Sequence, residues 1–488
     1  MNRNDCTVVV IGGGIAGISC IETLIQDFDK VESRYRCIVL ISESRLIKRV
    51  ANYELRGRQL ERFDVTESES DELLSLVPDG LQLRFVVGSV QFIDHDLRVV
   101  GYVSKREALQ KTEPYDILCV CSGSRPRQLG SRFSREINER ILVIRDTHSV
   151  EELEKRLSSC RRLVILGNGG ISLELVAKIS KCEKIWIVRD ESIGSIFLDI
   201  GAGKFLLDSL DSPSERRSGD ARLGRYPTFS VEERDLKSGF GPSLGPNWSL
   251  HCALEGSCRE SEGLRIIYQD ELSDITISNC DINPLLVRTK KGVHVSCDLI
   301  VTAIGVIPNV ITSVGRRELL KSKEDGGILI DDQMQTSLDG VYAAGDVTSC
   351  EKWPINELWF QMRLWTQAKQ MGHYTGKCID SHLLGQDPRL YFNFECFTHC
   401  TSFFGFKVVL LGKHNKPADH SHIIVRVNAK EDYVKLILND EGRIVGATLV
   451  GDSGLEETIE NLIHNRIDVS PYKEQLLDNT VDIEDYFD

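Results

Sequence analysis

Two glycine-rich turns in this chain have the composition needed to hold a pyrophosphate. The first, VVVIGGGIAG, places Gly12-x-Gly14-x-x-Gly17 directly after the apolar residues Val8 to Ile11. The second, LVILGNGGIS, places Gly167-x-Gly169-x-x-Ser172 directly after Leu163 to Leu166. In each, a strand must turn abruptly into a helix. The first glycine permits the turn and the second lets backbone approach phosphate oxygens. The third position must be small so that helix and strand pack closely. The helix N-terminus then supplies unpaired N–H groups and a positive dipole end. Ile15 and Ala16 in the first turn, and Gly170 and Ile171 in the second, are assigned to cofactor binding with the glycines. Two such turns in one chain point to two bound dinucleotides.

The residues that would hold the riboses lie one strand further on. After the apolar run Cys37 to Ile41, Ser42 and Glu43 both stand where an acidic residue would take ribose hydroxyls. The alternating run Leu83 to Val90 is a strand near the adenine end, with Val90 as a contact. In the second unit, KIWIVRD puts Arg189 where a domain preferring NADH would carry glutamate. Arginine pairs with a 2′-phosphate, whereas a carboxylate repels one. The prediction is that NADPH is accepted; Asp190, next in sequence, leaves NADH open.

These residues need a scaffold of alternating strands and helices, and the chain is long enough for one. It has 488 residues, 41% apolar and 27% charged, enough for several domains with real cores. A net charge of -14 argues against a broad nucleic-acid-binding surface. No apolar run approaches the length of a membrane-spanning helix. The run from Val8 reads as a Rossmann strand, not a signal-peptide core. Fifteen scattered cysteines fit free thiols in a reducing compartment. From Ser209 to Ser249, 17 of 41 residues are Gly, Ser or Pro, which reads as a flexible insertion spanning about 209–260. Its end, GPSLGPNW, carries Trp248, a residue expected to dock somewhere.

Three further segments carry a family resemblance. YDILCVCSGSRPR (Tyr115 to Arg127), SCDLIVTAIGVIPN (Ser296 to Asn309) and TSLDGVYAAGDV (Thr336 to Val347) follow the first two motifs in the right order. Together they resemble the class I pyridine nucleotide-disulfide oxidoreductases. That resemblance implies an α/β fold with two Rossmann-like domains. An FAD domain (1–145 and 296–380) is interrupted by an NAD(P) domain (146–295) and followed by an α+β C-terminal domain (381–477). The implied cofactors are FAD and, as electron donor, NADPH or NADH. By the same resemblance Ser122, Gly123, Arg125, Gly305, Gly345 and Asp346 approach the flavin, Asp346 accepting hydrogen bonds from the ribityl chain. Lys48 falls where relatives place a cation beside the flavin, though a solvated loop lysine is an equal reading. Glu174 falls near the flavin–nicotinamide junction, and Lys48 and Glu174 are the catalytic candidates. The apolar period of Glu357 to Ile379 predicts a helix.

The family's disulfide reductases carry a redox cysteine pair, yet Ser44 to Leu60 contains no cysteine. Cys119/Cys121, Cys252/Cys258 and Cys396/Cys400 are read as structural thiols, and none resembles a metal site. The expectation is an FAD-dependent NAD(P)H oxidoreductase without a dithiol. The alternative is a binding protein gated by flavin redox state. A closer resemblance within the family extends to the C-terminal tail. It implies a protein of nucleus and cytoplasm that protects a tRNA-splicing ligase complex from oxidation. The tail (478–488) is acidic, and Asp482, Glu484, Asp485, Tyr486, Phe487 and Asp488 are the residues expected to dock a partner, with Ile483 as a further apolar anchor.

Overall fold

The computed structural model describes residues 6–29, 34–130, 133–210, 248, 252–258, 263–278, 282–351, 353, 357–388, 394–415, 421–478 and 483. The first strand, β1 (Cys6–Ile11), leads into α1 (Ile15–Gln26) and β2 (Tyr35–Ser42). An antiparallel pair follows, β3 (Leu46–Leu55) and β4 (Glu61–Glu69). Then come β5 (Gln82–Asp94), β6 (Val99–Ser104), β7 (Gln110–Pro114) and β8 (Ile117–Val120). Val8, Val9 and Val10 are wholly buried because β1 runs parallel between β2 and β8 and is covered on both faces.

The chain leaves this sheet through β9 (Ser124–Pro126) and builds a second one. Its elements are β10 (Ile141–Val143), α2 (Thr147–Leu157), β11 (Arg162–Leu166), α3 (Gly170–Lys178), β12 (Glu183–Ile187), α4 (Ile200–Leu210) and β13 (Leu264–Ile267). A three-stranded antiparallel sheet, β14 (Leu272–Ile277), β15 (Leu285–Thr289) and β16 (His294–Cys297), precedes β17 (Leu299–Thr302). The parallel order β10-β17-β11-β12-β13 is that of a Rossmann half. Most of the expected insertion lies outside the described residues. Within its span residues 252–258 are described: Leu254 is buried and Glu255 bridges to Ser180.

The return runs through β18 (Val306–Pro308), which pairs with β9, and β19 (Thr312–Val314), which pairs with β5. β20 (Val341–Ala343) then lies beside β8 and completes the first sheet. Helix α5 (Trp365–Leu383) packs along α1. The helix expected from Glu357 thus starts eight residues late. Arg363 takes a positive φ of 57°, which no helix tolerates in its body. The apolar residues before it pack without helical form: Trp359 stacks on Trp353, and Phe360 on Phe397. The approach of α5 to α1 depends on glycine. A Cβ on Gly372 would lie 2.1 Å from the Ala16 carbonyl oxygen.

The C-terminal unit is an antiparallel sheet of β21 (Thr398–Phe403), β22 (Phe406–Gly412), β23 (His422–Asn428), β24 (Asp432–Leu438) and β25 (Ile444–Gly451), with helix α6 (Glu456–His464). The carboxylate of Glu460, itself buried, accepts the backbone N–H groups of Arg58, Gln59 and Leu60 at 3.0, 2.6 and 2.8 Å. This ties the C-terminal unit to the β3–β4 pair. Ile483 is buried in the core of the same unit, so it anchors the tail to its own chain and not to a partner. Asp482 and Glu484 to Asp488 lie outside the described residues. Among the described residues no helix is long and apolar enough to cross a membrane.

Candidate active site

Both glycine turns have the same backbone logic. A Cβ on Gly12, whose φ is +113°, would meet the Cys121 carbonyl oxygen at 2.2 Å. One on Gly167, φ +127°, would meet the Ala303 carbonyl oxygen at 2.1 Å. Each turn is therefore pressed against the next strand of its sheet. A Cβ on Gly17 would strike the Gly12 carbonyl oxygen at 2.0 Å. By contrast, a Cβ on Gly14 or Gly169 meets no protein atom within 4 Å. The middle glycines are open where a pyrophosphate would approach, and the flanking ones are shut. This pattern fits a dinucleotide at each turn.

The first turn gathers the distant motifs. Gly345 would carry its Cβ 2.8 Å from that of Ala16, and Asp346 follows it. The Asp346 carboxylate accepts from the Ser124 hydroxyl at 2.8 Å, and burial raises its pKa above the ordinary value. Ser124 and Asp346 would hold the flavin side of FAD, with Gly14 at its pyrophosphate. Arg363 clasps this motif from behind, donating to the Asp346 and Thr348 carbonyls at 2.9 and 3.0 Å. Ser124 and Arg363 were not legible as site residues. Ser124 lies two places beyond the matched serine, and the period of 357–379 hid Arg363. Ser122 turns away, its hydroxyl donating to the Asn309 carbonyl at 2.7 Å. Arg125 reaches the Asn309 side chain at 3.2 Å. Ser122, Gly123 and Arg125 thus knit the two crossing segments between domains, with Gly305 (φ 93°) opposite.

At the ribose position the structure separates the two candidates. Glu43 accepts from Ser89 at 2.8 Å, and Val90 follows on the same strand. The Ser42 hydroxyl instead accepts the Ser44 N–H at 3.4 Å and braces the turn. Lys48 is not a solvated loop lysine. It sits on β3, buried and ion-paired with Glu67, and its N–H donates to the Gly13 carbonyl at 2.9 Å. Burial lowers its pKa, opposed by Glu67. Glu67 also accepts from Thr147, the first residue of α2. The two catalytic candidates are not joined: Lys48 pairs with Glu67, and Glu174 pairs elsewhere.

Glu174 lies on α3, its carboxyl raised to about 7 by burial, while a hydrogen bond from Trp248 and the charge of Lys178 pull it back. The indole N–H of Trp248 donates to its Oε2. The docking tryptophan therefore meets the second cradle's helix. Ile171, Trp248, Phe360, Met362 and Phe404 are half-buried against the same core. Gly170 faces Phe197 and Phe403, where a Cβ would find carbon at 3.5 and 3.8 Å. His399 is a core residue whose pKa burial pushes down to about 3.

The nucleotide end of the second cradle opens into a cavity of about 510 Å³ lined by Arg189, Asp190, Ser195, Asp199, Gln269 and Asn415. Arg189 is 76% exposed at its mouth, 3.9 Å from Asp190 and 4.0 Å from Glu271. Asp190 is less available than its sequence position suggests. Its Oδ2 accepts from Asn168 and Ser195 at 2.8 and 2.7 Å. Burial would raise its pKa, but these bonds and Arg189 outweigh it and leave it lowered. Asn168, the middle residue of Gly-Asn-Gly, also accepts the Gly194 N–H at 2.6 Å. It holds the 190–195 loop, a role that a glycine motif alone does not reveal.

The chain belongs to the pyridine nucleotide-disulphide oxidoreductases, whose family pattern matches residues 6–211 and 250–372. Residues 402–467 match the rubredoxin NAD+ reductase C-terminal domain. Over almost its whole length the chain is similar to proteins named pyridine nucleotide-disulfide oxidoreductase domain-containing protein 1. It is 37% identical to that of Mus musculus (99% of this chain, 98% of the relative) and 39% identical to that of Danio rerio (98% and 97%). Among solved structures, putidaredoxin reductase in its putidaredoxin complex shares the fold. Its TM-score is 0.66 at 18% identity, covering 100% of this chain and 99% of that one. The water-forming NADH oxidase of Lactobacillus brevis, bound to NADH, gives 0.65 at 16%, covering 95% and 92%. The cofactors are FAD and NAD(P)H, in agreement with the two cradles.

Proposed function

We propose that this chain is an FAD-dependent NAD(P)H oxidoreductase without a dithiol relay, turning over slowly and guarding a protein partner from oxidation. The single observation that carries the reading is the content of the region after β2. There the β3–β4 pair presents the buried Lys48–Glu67 couple and no cysteine, while both cradles are intact. When bound, FAD supplies a two-electron acceptor for hydride from NAD(P)H. Around it, Ser124, Asp346 and Glu43 bind and orient; Glu174, its carboxyl raised to about 7 by burial, can hold or release a proton near neutral pH beside the second cradle. The β3–β4 pair, clamped by Glu460, closes that side of the site. Arg189 supports use of NADPH. The partner proposed is the tRNA-splicing ligase complex, in nucleus and cytoplasm, met by Asp482, Glu484, Asp485, Tyr486, Phe487 and Asp488. Oxygen, a quinone or a protein would serve as acceptor.

A second reading keeps hydride transfer but makes partner binding the output, with the reduced, nucleotide-bound state selected by the partner. The lack of any cysteine within β3, β4 or their connection favours it. Anaerobic stopped-flow absorbance with NADPH or NADH, followed by air, separates the two. Fast bleaching and fast reoxidation support the enzyme; a long-lived reduced, nucleotide-bound form supports the gated binder. Absence of bleaching by either nucleotide overturns both. Deleting 484–488, beyond the buried Ile483, should abolish partner binding and spare flavin content; unchanged binding refutes the tail as the docking element.

A further inference from the structure

Outside the active site, the base of the second cradle carries a cluster of thiols. Cys160 lies just before β11 and Cys182 just before β12, 22 residues apart, so sequence spacing gives no hint of a pair. In the fold their sulfurs are 3.8 Å apart and both residues are buried. Hydrogen bonding to Cys182 and burial push the Cys160 thiol far above its ordinary value. Cys182 Sγ donates to the Arg161 carbonyl at 3.3 Å, and Cys258 Sγ donates to the same oxygen at 3.6 Å. Arg161 is held in place by Asp298, which accepts its N–H at 2.8 Å.

The segment that returns from the insertion is laid over this pair. The N–H of Ser257 donates to the Cys160 carbonyl at 2.8 Å, and that of Cys258 to the Lys181 carbonyl at 2.9 Å. Gly256, just before them, has no room for a side chain, since a Cβ there would sit 2.6 Å from that of Cys182. The pair is thus covered, and Cys258, half-exposed at the edge of the cover, is the accessible thiol of the three.

We propose that Cys160 and Cys182 are a thiol pair that peroxide converts to a disulfide, with Cys258 as the point where oxidation enters. Peroxide must reach a thiolate to react, so a pair this buried reacts slowly with peroxide directly. The Cys258 thiolate attacks hydrogen peroxide, becoming a sulfenic acid; the departing hydroxide takes a proton and leaves as water. The Cys182 thiol then displaces the sulfenic hydroxyl as a second water, forming a Cys258–Cys182 disulfide. Cys160 attacks Cys182, forms the Cys160–Cys182 bond and releases Cys258 as a thiol. The sum is two thiols and one peroxide giving one disulfide and two waters. The bridge would close a loop that contains β11, the Gly167–Gly170 turn and α3, which is the whole second cradle.

The test uses the full-length, FAD-loaded protein treated with hydrogen peroxide, alkylated and digested without reductant. Mass spectrometry should find the Cys160 and Cys182 peptides linked in most of the protein, a link that dithiothreitol reverses. Cys258→Ser should slow its formation at least tenfold. Cys182→Ser should abolish it and leave a dimedone-reactive Cys258. Peroxide that oxidises other cysteines while Cys160 and Cys182 stay unlinked overturns the proposal. So does an end product in which either thiol is bridged to Cys258 or to the neighbouring Cys297. Equal rates in Cys258→Ser and the parent refute Cys258 as the entry point. The mapping on the parent protein needs no variant to fold.

Discussion

Replacing Glu174 by glutamine isolates a carboxyl that the fold keeps from ionising. Its pKa rises from 4.5 to about 7 on burial. The folded state therefore holds the proton more tightly than the unfolded chain does. Stability from this group is fully present below pH 4.5 and is lost as pH rises through 7. At 1.36 kcal/mol per pK unit, the loss is about 1 kcal/mol at pH 5 and about 3 kcal/mol at pH 9. Glutamine keeps an oxygen to accept from Trp248 and does not titrate. Glu174→Gln should match the parent near pH 4.5 and exceed it increasingly towards pH 9. For a unit the size of the nucleotide domain, about 3 kcal/mol is roughly 6–12 °C in Tm. Near-UV circular dichroism melts at pH 5 and pH 9 read the difference. Trp248→Phe removes the bond that favours the ionised form, so the gain from Glu174→Gln should be larger in that background. An equal Tm difference between glutamine and parent at both pH values would refute the reasoning, because the carboxyl would then ionise normally in the fold.

Gly14→Ala should leave the apo-protein Tm unchanged and lower FAD per polypeptide at least tenfold by absorbance, because its Cβ meets no protein atom. Gly12→Ala should cost at least about 2 kcal/mol in the apo-protein itself, from positive φ and the Cys121 carbonyl; similar behaviour of the two variants would remove the distinction. Glu460→Ala strands three backbone N–H groups and should cost about 3 kcal/mol, seen in thermal unfolding and as faster proteolysis near Arg58. Arg189→Ala should lower kcat/KM for NADPH at least tenfold, about 1.4 kcal/mol, and for NADH less than threefold; equal losses would show that Arg189 does not read the 2′-phosphate.

The parts legible in the sequence are those where backbone geometry permits one residue type. Gly12 and Gly167 press against carbonyl oxygens of neighbouring strands, and no other residue fits there, so the cradles announce themselves. The Asp346 motif is fixed in the same way by Gly345 against Ala16. Periodicity failed where tertiary contacts imitate it. Trp359 and Phe360 stack on aromatic partners from an irregular segment, and the spacing alone looks helical. The partners of Lys48 and Glu174 were hidden for another reason. Glu67 and Trp248 lie 19 and 74 residues away, and pairing at such distance depends on how strands and an insertion are laid over a core. Ser124 and Arg363 act by where their strand or turn places them, a property no local pattern encodes.

The close contact between α1 and α5 bears on when the protein can first become functional. Ala16, at the flavin turn, packs against Gly372, and Thr23 against Gly376. The helix that completes this contact lies about three-quarters of the way along 488 residues. During synthesis the first sheet lacks β20 and α5 until late, while the last strand of the inner parallel sheet is made by residue 302. The inner sheet can therefore form on the ribosome while the outer one waits with its apolar helix face open. Flavin can be captured only late, and ribosome-bound chains stalled before residue 383 should be targets for chaperones and not holoenzyme.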